Sequence, residues 1–281
     1  MILRAALSEG ARALRAVGIE GAERDARILL AEVLGLSPAR LSLEPDHPVS
    51  DAEMTRFHAM LARRAGYEPV SRILGRRAFW GRDFEVTPDV LDPRPETETL
   101  IEAALSAGPA RRLADLGTGS GIIAVTLLAE WPEAQAVASD LSAACLEVAA
   151  RNAAAHGVAG RLTLVRANWF EGIEGRFDLI VSNPPYITAT EMAHLSRDVA
   201  EYDPPLALTP GGDGLAPYPV LAAGARRHLR PGGRIMVETG PRQGADVSAL
   251  FVAAGLEAVG SLPDLDGRDR VVTGRQPAER R

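Results

Sequence analysis

The sequence predicts an α/β protein: a mostly parallel, Rossmann-like sheet with helices on both faces, preceded by a small helical bundle. Three observations predict it. From Arg111 onward, short apolar runs alternate with helical stretches, the signature of a parallel sheet covered on both sides. A glycine turn, Gly117-Thr118-Gly119-Ser120-Gly121, separates the first of these runs from an apolar helix. Before residue 79 the apolar residues instead keep helical spacing.

The N-terminal stretch, 1–78, reads as short helices. Leu3, Leu7, Leu14 and Val17 share one face, and Ile28, Leu29, Val33 and Leu34 continue the pattern to Gly35. Ser37-Pro38 opens a further short helix, with Ser as N-cap and Pro at the first helical position. Ser50 and Glu53 fit a capping box ahead of Met54, Phe57, Met60 and Leu61. This stretch holds 12 arginines against 10 acids and the remainder 19 against 27, so the first is net +2 and the second net −8. Arg56, Arg63, Arg64, Arg72, Arg76 and Arg77 cluster at its end, as a solvated face or as a docking surface for an acidic or RNA-bearing partner.

Residues 79–98 read as a hairpin or linker. Phe79 to Val86 alternates like a strand, and prolines then recur at 88, 93 and 95. Arg94-Pro95-Glu96-Thr97-Glu98 either caps the helix from Leu100 or is held over an active site. A longer stretch, 99–275, follows, in which strands and helices alternate. Its strands are Arg112–Leu116, Ala136–Ser139, Leu162–Val165, Phe177–Ser182 and, after a Pro231-Gly232-Gly233 turn, Arg234–Glu238. Ser142 caps a helix that shows Leu146, Ala149, Ala150 and Ala153 on one face. Leu256–Val259 and Arg270–Thr273 form a closing hairpin, and the tail, 276–281, reads as disordered.

Composition removes several chemistries. All 31 basic residues are arginine, so Schiff-base chemistry and a Walker-type phosphate loop are excluded. Cys145 is the only cysteine and the five histidines are scattered, which leaves no intrachain disulfide and no metal-ligand spacing. The net charge of −6 argues against a phosphate backbone as main partner. With no long apolar stretch and no signal-peptide pattern, no membrane association and a cytoplasmic location are expected.

Two motifs carry chemistry. The glycines at 117, 119 and 121 let the backbone turn sharply and approach a ligand at a helix N-terminus. Asp140, 19 residues beyond Gly121 at the end of the second strand, is placed to bind ribose hydroxyls. Ile122 stands where a dinucleotide fingerprint demands glycine, so a nucleoside without pyrophosphate, such as S-adenosylmethionine (AdoMet), fits better than a nicotinamide cofactor. The second motif, Asn183-Pro184-Pro185-Tyr186, closes the apolar strand Phe177–Ser182. Its prolines end sheet pairing and supply no N–H, so an amide side chain and free carbonyls converge where open α/β sheets bind ligands. That suits gripping an –NH2 group. A proline-rich turn after a core strand is the alternative.

The order Asp115-Leu116-Gly117-Thr118-Gly119-Ser120-Gly121, an acid after strand two, and Asn183-Pro184-Pro185-Tyr186 after strand four resembles AdoMet-dependent amino-group methyltransferases. With the helical N-terminal stretch, Arg94 to Glu98, Asn168-Trp169-Phe170 and Gly267-Arg268-Asp269-Arg270, the chain resembles the HemK/PrmC family over almost its whole length. The resemblance implies a class I AdoMet-dependent methyltransferase sheet. It implies methylation of the glutamine side-chain nitrogen (N5) in the Gly-Gly-Gln loop of class 1 peptide chain release factors, with no DNA partner. It also implies that Gly117, Thr118, Gly119, Ser120 and Gly121 cradle the methionine part of AdoMet, that Asp140 holds the ribose, and that Trp169 flanks the adenine. Asn183, also at the cofactor's edge, and the carbonyl of Pro184 would accept from the glutamine –NH2. Pro185 would complete the substrate wall and Tyr186 would pack on the flat amide. Trp169 reads equally as a core aromatic. Asp92 and Asp203 depart from the family's usual residues. Glutamine methylation of a ribosomal protein, adenine-N6 methylation of nucleic acid and a non-catalytic AdoMet-binding factor are the alternatives. The adenine reaction would require base flipping and a basic cleft.

Overall fold

The structure, a computed structural model, describes residues 1–37 and 39–278. The chain forms two compact units, Met1–Arg76 with Ser196–Tyr202, and Arg77–Leu195 with Asp203–Arg281.

The first unit is built on helices α1 (Leu3–Ala16), α2 (Ala22–Leu34), α3 (Asp51–Ala65) and α4 (Val70–Leu74). Leu3, Leu14, Leu29, Leu30, Phe57 and Leu61 fill its core. Val17 lies beyond the end of α1 and is exposed, so the buried face of that helix is Leu3, Ala6, Gly10, Ala11 and Leu14. The Ser50–Glu53 capping box opens α3. The helix expected at Ser37-Pro38 is a single 3-10 turn, Arg40–Ser42, entered by an Arg40 N–H bond to the Ser37 hydroxyl; Pro38 lies outside the described residues.

The arginine cluster does not form one open face. Arg64 is buried on Asp25 (2.8 Å), Arg72 is buried, and Arg63 pairs with Glu68 (2.5 Å). Arg76 pairs with Glu32, Arg56 donates to the Val33 carbonyl and Arg77 lies 3.8 Å from Asp92. Sequence distance also hid a member of this unit. In Ser196–Tyr202 the Tyr202 hydroxyl donates to the Gly66 carbonyl and the Arg197 guanidinium sits over the Tyr67 ring.

The second unit begins with a hairpin, β1 (Arg76–Phe79) and β2 (Arg82–Glu85). The turn at Trp80-Gly81 divides the run that reads as one strand, because both residues take positive φ. Then follow α5 (Thr97–Ser106), β3 (Arg112–Leu116), α6 (Ile122–Glu130), β4 (Gln135–Asp140), α7 (Ala143–Ala155), β5 (Leu162–Arg166) and β6 (Phe177–Ser182). Short helices α8 (Ala189–Met192), α9 (Arg197–Tyr202, of the first unit) and α10 (Pro205–Leu208) precede α11 (Pro217–His228). The chain closes with β7 (Leu229–Glu238), α12 (Gly244–Ala253), β8 (Glu257–Pro263) and β9 (Asp269–Arg275).

The sheet order is β5-β4-β3-β6-β7-β9-β8. The first five strands are parallel, and β9 runs antiparallel to both β7 and β8. Period-two alternation sends Leu113, Leu179 and Val181 to one layer with α5 and α6, and Ala114, Ile180 and Val237 to the other with α11 and α12.

Three local expectations change. Cys145, Val148, Ala149, Asn152 and Ala153 are the buried face of α7; Leu146 is half-buried and Ala150 exposed. Pro231-Gly232-Gly233 is a bulge within β7 rather than a turn before it, since Leu229 already pairs with Phe177. Gln276 is tied to the backbone of Gly232 and Gly233, so order persists one residue past β9; residues 279–281 lie outside the described residues. Among the described residues no helix is long and apolar enough to cross a membrane.

Candidate active site

The strand order reverses between β3 and β6, and in open α/β sheets ligands bind beside the strand ends at such a point. The glycine loop leaves β3 there and Asn183-Pro184-Pro185-Tyr186 leaves β6. A cavity of about 560 Å³ lies between them. Gly117, Thr118, Gly119, Ser120, Asp140, Trp169, Asn183 and Pro185 all line it. Gly121, Pro184 and Tyr186 are not on the wall: Gly121 is the N-cap ahead of α6, Pro184 is buried, and Tyr186 is half-buried.

The loop is shaped by hydrogen bonds to the next strand. Gly117 and Thr118 N–H both donate to the Ser139 carbonyl (2.8 and 2.9 Å), and Gly119 N–H donates to Asp140 Oδ2 (2.9 Å). Gly121 has φ +81°, and a Cβ there would stand 3.0 Å from the Ala149 Cβ, so glycine is required for both conformation and closeness to α7. Buried Asn152 of α7 donates to the Ser120 and Glu85 carbonyls (2.8 and 3.1 Å), tying the loop to β2.

Two carboxylates face this loop differently. Asp140 takes one backbone N–H on each oxygen, from Gly119 and Ser142, which leaves further lone pairs toward the cavity. Asp115 is fully buried; its Oδ2 accepts from the Thr118 hydroxyl (2.6 Å) and Ala124 N–H (3.2 Å), while Oδ1 has no partner among the described residues. Burial pushes its carboxyl up to about 6, against those two hydrogen bonds. Trp169 packs against the core and lines the cavity at φ +56°, a backbone region that non-glycine residues seldom hold. Its ring lies 3.5 Å from where a Cβ on Gly117 would stand. A carboxylate with spare lone pairs and an aromatic wall fit the ribose and adenine of AdoMet, whereas Asp115 lies behind the glycine loop and not on the cavity wall.

The Asn183 end holds residues that motif reading missed. Asn183 Nδ2 donates to Thr97 Oγ1 (3.1 Å), whose hydroxyl donates to Glu238 Oε2 (2.7 Å). The Tyr186 hydroxyl donates to Glu238 Oε1 (3.2 Å). Glu238 is fully buried at the end of β7; burial raises its carboxyl to about 7, although Thr97, Arg270 and Tyr186 favour the anion. Burial, chiefly, and the adjacent Glu238 charge raise the Tyr186 phenol well above its ordinary range, so it stays a hydroxyl donor. The Tyr186 carbonyl accepts from Gln243 Nε2 (3.0 Å), and Gly214 passes so close that its Cβ would stand 2.2 Å from that oxygen. Thr97 and Glu238 carry no motif of their own, though the run Arg94 to Glu98 flagged Thr97's neighbourhood.

The two departures from the family pattern meet in the fold. Asp203 Oδ1 accepts from the Asp92 N–H (3.1 Å), and its Oδ2 holds the guanidinium of Arg94, which lines the cavity with Leu206 and Ala207. Among the described residues no histidine lines the cavity and no cluster of His, Cys, Asp and Glu could hold a metal.

A family model described as the PrmC N-terminal domain matches residues 5–75, and one described as the methyltransferase small domain matches residues 91–213. The chain is 57% identical over 265 residues to the release factor glutamine methyltransferase of Cereibacter sphaeroides, covering 94% of this chain and 95% of that one. It is 45% identical to the Agrobacterium fabrum protein of the same name, covering 94% and 93%. Among solved structures, a methyltransferase from Pyrococcus furiosus superposes with a TM-score of 0.53 at 19% identity, covering 71% of this chain and 91% of that one, a likeness of fold.

Proposed function

The chain belongs to the release factor glutamine methyltransferase family, and from that premise we propose that it methylates the side-chain nitrogen of the glutamine in the Gly-Gly-Gln loop of class 1 peptide chain release factors. It is a methyltransferase with a class I sheet. The observation that carries the substrate reading is the presence of Asn183 and Pro185 on the same cavity wall as the glycine loop and Asp140.

Gly117 to Gly121 would hold the methionine end of AdoMet, Asp140 its ribose and Trp169 its adenine. When bound, AdoMet supplies an electrophilic sulfonium methyl. The rest is done by the protein's own groups. An amide nitrogen is a poor nucleophile, because its lone pair is delocalised into the carbonyl. Asn183 Oδ1 and the Pro184 carbonyl accept the two amide hydrogens, orient the nitrogen, and favour the positive charge that develops on it. Holding the amide in line with the methyl supplies the proximity contribution. No base is needed before attack, since the methylated nitrogen is acidic and releases its proton afterwards. Tyr186, held by Glu238 and Gln243, backs the flat amide.

The same reading gives the protein a cytoplasmic place in translation termination, and gives the helical first unit the role of docking the release factor. The test offers labelled AdoMet to the protein with a release factor, a ribosomal-protein mixture and DNA together. Label in the release factor supports the reading. Label confined to a ribosomal protein or to DNA rejects it in favour of that substrate.

A further inference from the structure

We infer that Thr97 and Glu238 are positioning residues that decide which end of the Asn183 amide faces the substrate. This inference rests on the reading that Asn183 accepts a hydrogen from the glutamine –NH2. An asparagine amide is nearly symmetric in shape, yet its two ends have opposite hydrogen-bonding sense. Turned one way, Asn183 offers an acceptor to an –NH2 group; turned the other, it opposes that group with its own –NH2. Something must select between them.

The selection follows from counting protons. Glu238 closes β7, is wholly buried, and once ionised, as it is above about pH 7, can only accept. Its Oε2 receives the Thr97 hydroxyl at 2.7 Å and its Oε1 the Tyr186 hydroxyl at 3.2 Å. Thr97 has one hydroxyl proton, and the carboxylate takes it. What Thr97 Oγ1 presents to Asn183, 3.1 Å away, is a lone pair. Only Nδ2 can face it; a reversed amide would set two acceptors against each other with no hydrogen between them. Oδ1 is thereby left unspent by this network and available to the substrate. One carboxylate thus polarises a chain across three elements: the end of β7, the start of α5 and the residue after β6. It also anchors Tyr186, so both polar side chains of the Asn183–Tyr186 motif are held from a single buried point. Asn183 and Thr97 line the cavity and Glu238 lies behind them, so Glu238 acts through the other two. The charged groups acting on Glu238 are Glu96, which disfavours its anion, and Arg270 on β9, which favours it.

Thr97→Val keeps the shape and removes the proton relay, and Thr97→Ser restores it. Steady-state methyl transfer to the release factor is measured at about pH 8.5, where Glu238 is ionised, for both variants and wild type, with AdoMet affinity determined by calorimetry and rates expressed per AdoMet-binding site. Misplacing a reacting group costs up to about 10²-fold, so Thr97→Val should lose roughly 10- to 100-fold in kcat, keep its AdoMet affinity within about threefold, and be rescued by Thr97→Ser. Should Thr97→Val not fold with Glu238 charged beside it, the double variant Thr97→Val/Glu238→Gln removes that charge and carries the same expectation. A purely structural network would lower the melting temperature and leave kcat per binding site at the wild-type value. That result, with active wild type, overturns this inference alone. No transfer by wild type overturns the functional reading and this inference with it.

Discussion

Glu238→Gln should change how stability depends on pH. The Glu238 carboxyl stands at about 7 in the folded protein against an ordinary 4.5, with burial as the main cause. Between those values the folded state retains a proton that the unfolded chain has released, so stability falls as pH rises. Each pH unit is worth ~1.4 kcal/mol, and the full window therefore about 3 kcal/mol. Asp115, raised to about 6 from 3.8, adds a slope of the same sign at lower pH, so the stretch from 6 to 7 reports Glu238 most cleanly. Glutamine does not titrate. The stability difference between Glu238→Gln and wild type should shift in favour of the variant by roughly 2 kcal/mol on going from about pH 5.5 to 7.5. Urea unfolding followed by tryptophan fluorescence measures this in the correct unit, since Trp80, Trp131 and Trp169 all belong to the second one. Parallel curves for the two proteins, with a constant gap across that range, would refute a buried carboxyl titrating near neutrality.

Two further outcomes test the cofactor side. Gly121→Ala places a Cβ 3.0 Å from Ala149 at φ +81°, so it should cost about 1–3 kcal/mol in urea unfolding and weaken AdoMet binding; an unchanged unfolding midpoint would contradict the packing described. Trp169→Ala removes the aromatic wall, and since stacking a base on such a ring is worth ~1–3 kcal/mol, the AdoMet Kd should rise roughly tenfold or more by calorimetry. An unaltered Kd would leave Trp169 as a core residue only.

The legible parts of this protein are those where chemistry and chain order coincide. Gly117 to Gly121, Asp140 and Asn183 to Tyr186 each sit at the end of a strand in sequence as well as in space, so alternation alone placed them at one edge of the sheet. Thr97 and Glu238 escaped because 141 residues separate them and only the strand order brings β7 beside β6. A single threonine or glutamate has no spacing to read. Asp203 with Arg94 escaped for the same reason, 109 residues apart. The turn at Trp80-Gly81 was hidden inside a run that alternates correctly, and Pro231 to Gly233 reads as a turn because nothing in the local sequence shows that Leu229, ahead of it, already pairs with Phe177. On α7, Ala150 reads as apolar yet is exposed, while Asn152 reads as polar yet is buried, because its amide satisfies the backbone of the glycine loop and β2.

The central claim is that Asn183 captures the glutamine amide, and single-turnover transfer by Asn183→Ala tests it most directly. The variant is loaded with AdoMet, mixed with release factor, and the Gly-Gly-Gln loop is read by tandem mass spectrometry against wild type. Wild type should place one methyl on the glutamine side-chain nitrogen, and Asn183→Ala should do so roughly 10²-fold more slowly or worse while its AdoMet affinity stays within about threefold. Transfer by Asn183→Ala at the wild-type rate, or a methyl on any other atom of the release factor, would contradict the account.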